Sequence, residues 1–335
     1  MLTVEDLSIS FRTDEGLISP VQGVSFAVEA GKTLGLVGES GSGKSITTKA
    51  LMRLLPGNAS LSDATRITYR AKDGRDIEIH EISPKSRALR RLRGGEIGMI
   101  FQEPMASFSP VYTIGNQMME AIRLHRGCGR RQARELAVEM LDKVGISNPA
   151  ERVDQYPHEM SGGMRQRAMI ALALSAGPAL LIADEPTTAL DVTIQAQVLD
   201  LMRDLQRDLG MAMIFITHDL GVIAQIADEV AVMYLGTIVE RGATRDVIRS
   251  PQHPYTKGLL KAIPSLDTLH YRLSPVPGDI PSPTERPTGC PFHPRCPDFI
   301  NGICDVNEPR EMSPLPGRMV RCWLHRDETS GRSAA

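Results

Sequence analysis

Gly38-Glu39-Ser40-Gly41-Ser42-Gly43-Lys44-Ser45 is the stretch on which the fold turns. Residues 33–37 before it form a short apolar run, and residues 46–55 after it have helix-forming composition until Pro56 stops them. A glycine-rich octet between a strand and a helix is the setting of a phosphate-binding loop. Gly38, Gly41 and Gly43 let backbone amides turn inward around an anion, and the helix start adds partial positive charge. In such a loop Lys44 can reach the β- and γ-phosphates of a nucleotide, and Ser45 can hold Mg²⁺.

Two further apolar runs end in chemistry. Ala179-Leu180-Leu181-Ile182-Ala183-Asp184-Glu185-Pro186 reads as a strand of a covered parallel sheet that delivers two carboxylates before Pro186 ends it. Residues 211–217 repeat the pattern, with His218 and Asp219 following. In open α/β sheets ligands lie off the carboxyl ends of strands, so Lys44, Asp184, Glu185 and His218 are expected at one edge. Asp184 is placed to hold Mg²⁺ and Glu185 to orient or deprotonate an attacking water. A second anion-binding helix start is predicted at Ser161-Gly162-Gly163, where Ser161 is a good N-cap and residues 164–174 are helix-forming. It has no anion to hold within its own chain, so the site is expected to be completed by another subunit.

Composition narrows the class. Lys and Arg number 38 against 40 Asp and Glu, a formal charge of −2, so the global basic field of a general nucleic-acid binder is missing. No apolar run approaches the ~20 residues of a membrane span, and the opening lacks the basic and apolar segments of a signal peptide. The chain is expected to borrow its membrane path. Residues 1–30 alternate as strands, and residues 68–79 suggest a hairpin around Asp73-Gly74, giving an antiparallel lobe. Residues 114–124 and 131–144 carry helical patterns, and the arginines of residues 87–93 read as a solvated helix face.

Taken together, the chain resembles the nucleotide-binding subunit of ABC transporters, most closely the dipeptide, oligopeptide and nickel importers, over nearly all of its 335 residues. Gly38 to Ser45 match the Walker A loop, Gln102 the Q-loop and Ser161-Gly162-Gly163-Met164-Arg165-Gln166-Arg167 the signature. Asp184 and Glu185 end the Walker B strand, Ala189-Leu190-Asp191 match the D-loop, and His218 the switch histidine. Met164 departs from the glutamine commonest at the fifth signature position.

The resemblance implies an α/β P-loop cassette with a parallel-sheet core, an antiparallel β lobe and a helical lobe inserted over about residues 104–177. The cassette would occupy residues 1–262 and an extension residues 263–335. It implies ATP and Mg²⁺ bound by Phe11, which would stack on adenine, with Gly38, Ser40, Gly41, Ser42, Gly43, Lys44, Ser45 and Ile46. Ser45, Gln102 and Asp184 would serve the magnesium, and Glu185, His218 and Gln102 catalysis. Ser161, Gly162, Gly163 and Met164 would act on the ATP of a second ABC subunit, commonly a paralogue, with Asp191 in the D-loop between them. Two membrane permease subunits would dock with Met105 to Pro110 forming part of the groove, an expectation that joint substitution of Met105, Phe108 and Val111 would test. An extracytoplasmic solute-binding protein would deliver the cargo, and the ATPase would lie at the cytoplasmic face of the inner membrane.

The end of the chain changes character. Twelve of the 23 prolines follow Ala262, which disfavours long helices and predicts an extension wrapped on the core. Cys290, Cys296, Cys304 and Cys322 lie there, and Cys128 stands alone in the helical lobe. In a reducing compartment clustered thiols point to a metal rather than to disulfides. The spacing lacks the paired knuckles usual for structural zinc. The importer resemblance implies a [4Fe-4S] cluster on these four cysteines, with zinc or unligated thiols as the alternatives.

Other ATPases are disfavoured. A DNA-repair type would show long heptad arms, a translation type two tandem cassettes, and a GTPase an Asn-Lys-x-Asp stretch.

Overall fold

The computed structural model describes residues 1–14, 16–102, 107–188, 190–262 and 276–326. Met105, Ala189 and residues 263–275 therefore lie outside the described residues.

Strands β3 (Thr33–Val37), β8 (Leu180–Asp184) and β9 (Ala212–Thr217) are buried along their whole length. Continuous apolar runs require this, because successive side chains point to opposite faces and both faces need cover. Leu34, Leu36, Ile182, Ile214 and Ile216 enter one core, while Val37, Leu181, Ala183, Met213 and Phe215 enter another. The three strands belong to a seven-stranded sheet of order β12-β11-β10-β3-β9-β8-β7, with β7 (Ile97–Ile100), β10 (Glu229–Tyr234), β11 (Thr237–Ala243) and β12 (Met319–Val320). From β7 to β10 every pairing is parallel; β11 and β12 join antiparallel.

A five-stranded antiparallel sheet supplies cover for one face. β1 (Leu2–Thr13) pairs with β2 (Gly16–Val28), β4 (Ala59–Leu61) and β5 (Arg66–Arg70), and β5 with β6 (Asp76–Glu78). The expected hairpin is present, closed by the Gly74 amide donating to Ala71 O at 2.9 Å.

α1 (Lys44–Leu51) follows the glycine-rich loop and α2 (Arg87–Gly95) precedes β7, and both bury apolar residues, Ala50, Leu51, Leu89 and Leu92, in the same core as the antiparallel sheet. Further helices cover the other face. α3 (Ile114–Arg126), α4 (Arg130–Lys143) and α5 (Gly162–Leu174) build the helical lobe. Ile114, Met118 and Ile122 recur at i+4 along α3 and face Ala133, Ala137 and Leu141 of α4. Thr113 Oγ1 caps α3 by accepting from the Asn116 amide.

Two local expectations need correction. The helix read over residues 46–55 ends at Leu51, because Arg53 adopts φ +52° and breaks the hydrogen-bond ladder. The arginines of α2 are not uniformly solvated: Arg87, Arg90 and Arg91 are exposed, but Arg93 is half-buried, donating to Met52 O at 2.8 Å and Arg53 O at 2.6 Å. It satisfies carbonyls that the shortened α1 leaves open.

The proline-rich extension is wrapped on the core as expected. β12 adds to the edge of the large sheet, pairing Val320 with Glu240 and Met319 with Arg241. Buried Arg318 pairs with buried Glu240, whose carboxylate also accepts the amides of Gln252 and His253.

Candidate functional site

Parallel register decides where the chemistry sits. Val37 lies opposite Thr217, Asp184 opposite Ile216, and Ile100 opposite Ala183. The residues that follow these strand ends, Gly38, Glu185, His218 and Gln102, are thereby delivered to one edge of the sheet.

Glycine is required at two points of the loop. A Cβ on Gly38 would lie 2.2 Å from Met233 O, and Gly43 adopts φ +100° with the carbonyl of Pro20 2.8 Å from where its Cβ would be. Lys44 Nζ turns back over the loop, donating to Gly38 O at 2.7 Å and Glu39 O at 2.9 Å. Burial lowers its pKa, and the charges of Glu185, Asp184 and Glu39 oppose that shift. Ser45 Oγ donates to Asp184 Oδ1 at 3.0 Å, so the two residues expected to serve magnesium meet. Burial raises the Asp184 pKa, the Ser45 hydrogen bond opposes it, and neighbouring Glu185 adds to it.

Glu185 is held from three sides. Its Oε2 accepts from Gln102 Nε2 at 3.1 Å and from Thr188 Oγ1 at 2.9 Å, and its Oε1 lies 3.8 Å from His218 Nδ1. Its backbone is in the left-handed region at φ +47°, where a non-glycine residue is strained. The sequence reading missed Thr188, although a threonine three residues past the glutamate was its visible signal.

Phe11 is half-buried and pairs with Ile18, two residues before Pro20 of the loop contact. Ser40 and Gly41 are exposed, and Ser42 is buried at 2 % exposure. Ile46 is half-buried against the antiparallel-lobe core.

The second helix start lies apart from these residues. Ser161 Oγ accepts from the Met164 amide at 3.3 Å, and Ser161 and Gly162 are exposed. Among the described residues, a Cβ on Gly162 or Gly163 would meet nothing outside its own helix within 4 Å. From the same helix Gln166, buried, donates to Pro186 O beside Glu185. Asp191 caps the helix Val192–Leu209 through the amides of Thr193 and Ile194. Phe108 corrects the docking expectation: it is buried at 5 % exposure, whereas Val111 and Tyr112 are 70 % and 57 % exposed.

In the extension, Cys290, Cys304 and Cys322 are buried and Cys296 half-buried, all as free thiols. The Cys290 amide donates to Cys304 O at 2.7 Å, a close approach that Gly289 permits at φ +65°. Burial pushes the Cys290 thiol up to about 12 and Cys296 up to about 11, the other thiols adding to the rise and the amides of Phe292 and Asp298 opposing it. Cys322 is raised by burial and by Cys304, against the amide of Leu324. The donor set fits a thiolate-bound group in number, softness and supporting amides. The expectation of a metal is not met as a single-ion site: among the described residues no group of three or more His, Cys, Asp and Glu is placed to hold a metal ion.

Residues 21–188 match the family model described as ABC transporter, and residues 239–304 match oligopeptide/dipeptide transporter, C-terminal region. The chain belongs to the ABC transporter family. This ABC ATPase is 53% identical over 315 residues, 92% of each chain, to a putative peptide import ATP-binding protein of Brucella abortus. It is 46% identical to the dipeptide transport ATP-binding protein DppD of Bacillus subtilis, over 97% of this chain and 94% of that one. Among solved structures, the dimeric post-hydrolysis structure of an ATP-binding cassette, MJ0796, bound to ADP and Pi aligns with TM-score 0.63 at 23% identity, covering 73% of this chain and 99% of that one. A cassette from Clostridium perfringens, cbiO1, aligns with TM-score 0.60 at 25% identity, covering 74% and 90%. These likenesses establish the P-loop α/β cassette fold. Among the described residues, no helix of the ABC ATPase is long and apolar enough to cross a membrane.

Proposed function

We propose that this chain is the ATP-hydrolysing subunit that powers import of peptides through a membrane permease. The observation that carries the substrate class is the match to the oligopeptide/dipeptide C-terminal region over residues 239–304, which runs from β11 into the extension. The relatives named for peptide and dipeptide import agree with it. In this reading Lys44, Ser45 and Asp184 hold Mg-ATP, Glu185 positions the attacking water, and Gln102 and His218 stand beside it. Catalysis is then a matter of positioning and charge around the γ-phosphate.

The second half of the site comes from another subunit. Ser161 and Gly162 are exposed at the helix start, and among the described residues nothing lies within 4 Å of where a Cβ on Gly162 or Gly163 would be, which leaves room for a phosphate to approach. A second ABC subunit, in this reading a paralogue, places its own signature over Lys44 in return. The exposed Val111 and Tyr112 offer the permease contact, at the cytoplasmic face of the inner membrane. The solute-binding protein acts from the other side, through the permease.

For the four thiols the reading is a [4Fe-4S] cluster. What supports it is the count of four thiols, the ligand number of such a cluster, at a spacing that lacks the paired knuckles usual in structural zinc sites. When bound it would tie segments of the proline-rich extension together through Cys290, Cys296, Cys304 and Cys322.

Purification with the permease, reconstitution in vesicles and measurement of ATP-driven dipeptide uptake test the function. Uptake that needs this chain supports the reading, and ATPase activity with uptake of no peptide overturns the substrate class. Anaerobic purification with an absorption spectrum and metal analysis tests the thiols; colourless protein with one zinc overturns the cluster.

A further inference from the structure

Glu39, the second residue of the phosphate loop, is gripped from outside the loop by a part of the chain 256 residues away. Its carboxylate is forked by Arg295, with Nη1 2.8 Å from Oε2 and Nη2 3.1 Å from Oε1. Its backbone amide donates to Tyr255 Oη at 3.0 Å. On the inner side its carbonyl accepts from Lys44 Nζ. One residue thus joins the extension to the lysine that reaches the phosphates.

Both outer partners are fixed. The Arg295 side chain is 4 % exposed, and it also donates from Nε to Pro277 O at 3.0 Å and from Nη2 to Val276 O at 3.1 Å. Its guanidinium lies 5.7 Å from the Tyr234 ring centroid. Tyr255 is fully buried, its ring 4.8 Å from Tyr234 and 5.4 Å from Phe292 of the extension. Fork geometry of this kind specifies orientation as well as energy.

The loop needs such a hold. Gly41 and Gly43 sit at φ +80° and +100°, and glycine gives the free loop many alternatives to the anion-cradling shape. A carboxylate beside the phosphates also repels them unless its charge is matched.

We propose that Arg295 of the carboxyl-terminal extension and Tyr255, in the helix Pro254–Lys261 just before it, are positioning residues for the phosphate loop and together set the affinity of the site for a nucleoside triphosphate. The fork fixes Glu39 and neutralises its charge, and the tyrosine hydroxyl orients its peptide. Lys44 then meets the phosphates from a loop already in shape, which lowers the ordering cost of binding. The inference rests on the reading of residues 38–45 as the triphosphate site.

The test is ATP affinity of the full chain by equilibrium binding, together with KM and kcat for ATP in the assembled transporter. Arg295→Met is expected to weaken ATP binding about tenfold and raise KM in step, with kcat within about twofold of the parent, because the groups at the γ-phosphate are untouched. Arg295→Lys should recover part of the loss. Adding Glu39→Gln should remove most of the effect of Arg295→Met, since the fork then has no carboxylate to hold. Tyr255→Phe, which deletes one hydroxyl from a buried ring, should weaken binding about threefold and decides the matter should Arg295→Met fail to fold. Unchanged ATP affinity in Tyr255→Phe and in folded Arg295 variants, with only thermal stability lowered, makes the contacts a structural staple and overturns the proposal. Lys44→Ala separates the two readings. If it too binds ATP like the parent, the phosphate-loop assignment fails and this inference with it.

Discussion

Glu185 combines a strained backbone with a carboxylate held by Gln102 and Thr188, a pairing of cost and restraint usual where orientation matters to chemistry. Glu185→Gln keeps the size of the side chain and removes its charge. It is expected to leave ATP affinity within about threefold while slowing single-turnover hydrolysis at least about 100-fold, read with radiolabelled ATP. Gly38 carries a different constraint. Alanine there would put Cβ against Met233 O, so Gly38→Ala is expected to destabilise the fold by about 3 kcal/mol, seen as a lowered midpoint in denaturant titration. The octet was legible because glycine, lysine and serine at fixed spacing state their own chemistry. That of Glu39 was not, since a glutamate at a variable position of the motif carries no local sign of a distant arginine.

The signature helix α5 links the two halves of the proposed chemistry. Its start is exposed at Ser161 and Gly162, and Gln166 one turn later holds Pro186 beside Glu185. Gly162 is exposed, and among the described residues nothing lies within 4 Å of an added Cβ, so in Gly162→Val the thermal midpoint and ATP affinity of the isolated subunit should stay near parental values. ATPase activity of the assembled complex should fall at least tenfold, because the Cβ branch blocks the approach of a partner's phosphate. Equal activity in the complex would remove the trans role from this helix. The helix pattern of α3 and α4 could be read from periodicity, since their buried residues recur one turn apart. The end of α1 could not: the left-handed turn at Arg53 answers to carbonyls that Arg93 collects from elsewhere.

Across the molecule the extension closes back on the cassette, and His253 lies at that seam with 1 % exposure. Its Nδ1 accepts the Tyr255 amide at 3.0 Å, and its own amide donates to Glu240, which faces Arg318. Burial pushes its pKa from 6.5 down to about 3, with the charges of His325 and Lys257 adding to the shift. Above pH 6.5 the imidazole is neutral in folded and unfolded chains alike, and its contribution is present in full. As pH falls below 6.5 the unfolded chain takes up the proton and the folded chain does not until about 3. Stability is therefore lost at about 1.4 kcal/mol per pH unit across that window. Thermal midpoints at pH 7.5 and 5.5 should separate in the parent, and the separation should shrink in His253→Asn, whose amide oxygen replaces the Nδ1 acceptor.

The sequence alone determined the cassette: three apolar strands ending in Gly38, Asp184-Glu185 and His218, a capped helix at Ser161, and a proline-rich end. Each is a local pattern whose period or spacing is set by strand and helix geometry, so neighbouring residues suffice to read it. Only the tertiary structure decided that Phe108 is buried while Val111 is not, that Thr188 restrains Glu185, and that four thiols from separate turns share one region. It alone joined Arg295 to Glu39. Such contacts depend on how the sheet edge and the extension close over long chain separations, and no short-range pattern encodes which distant charge will arrive.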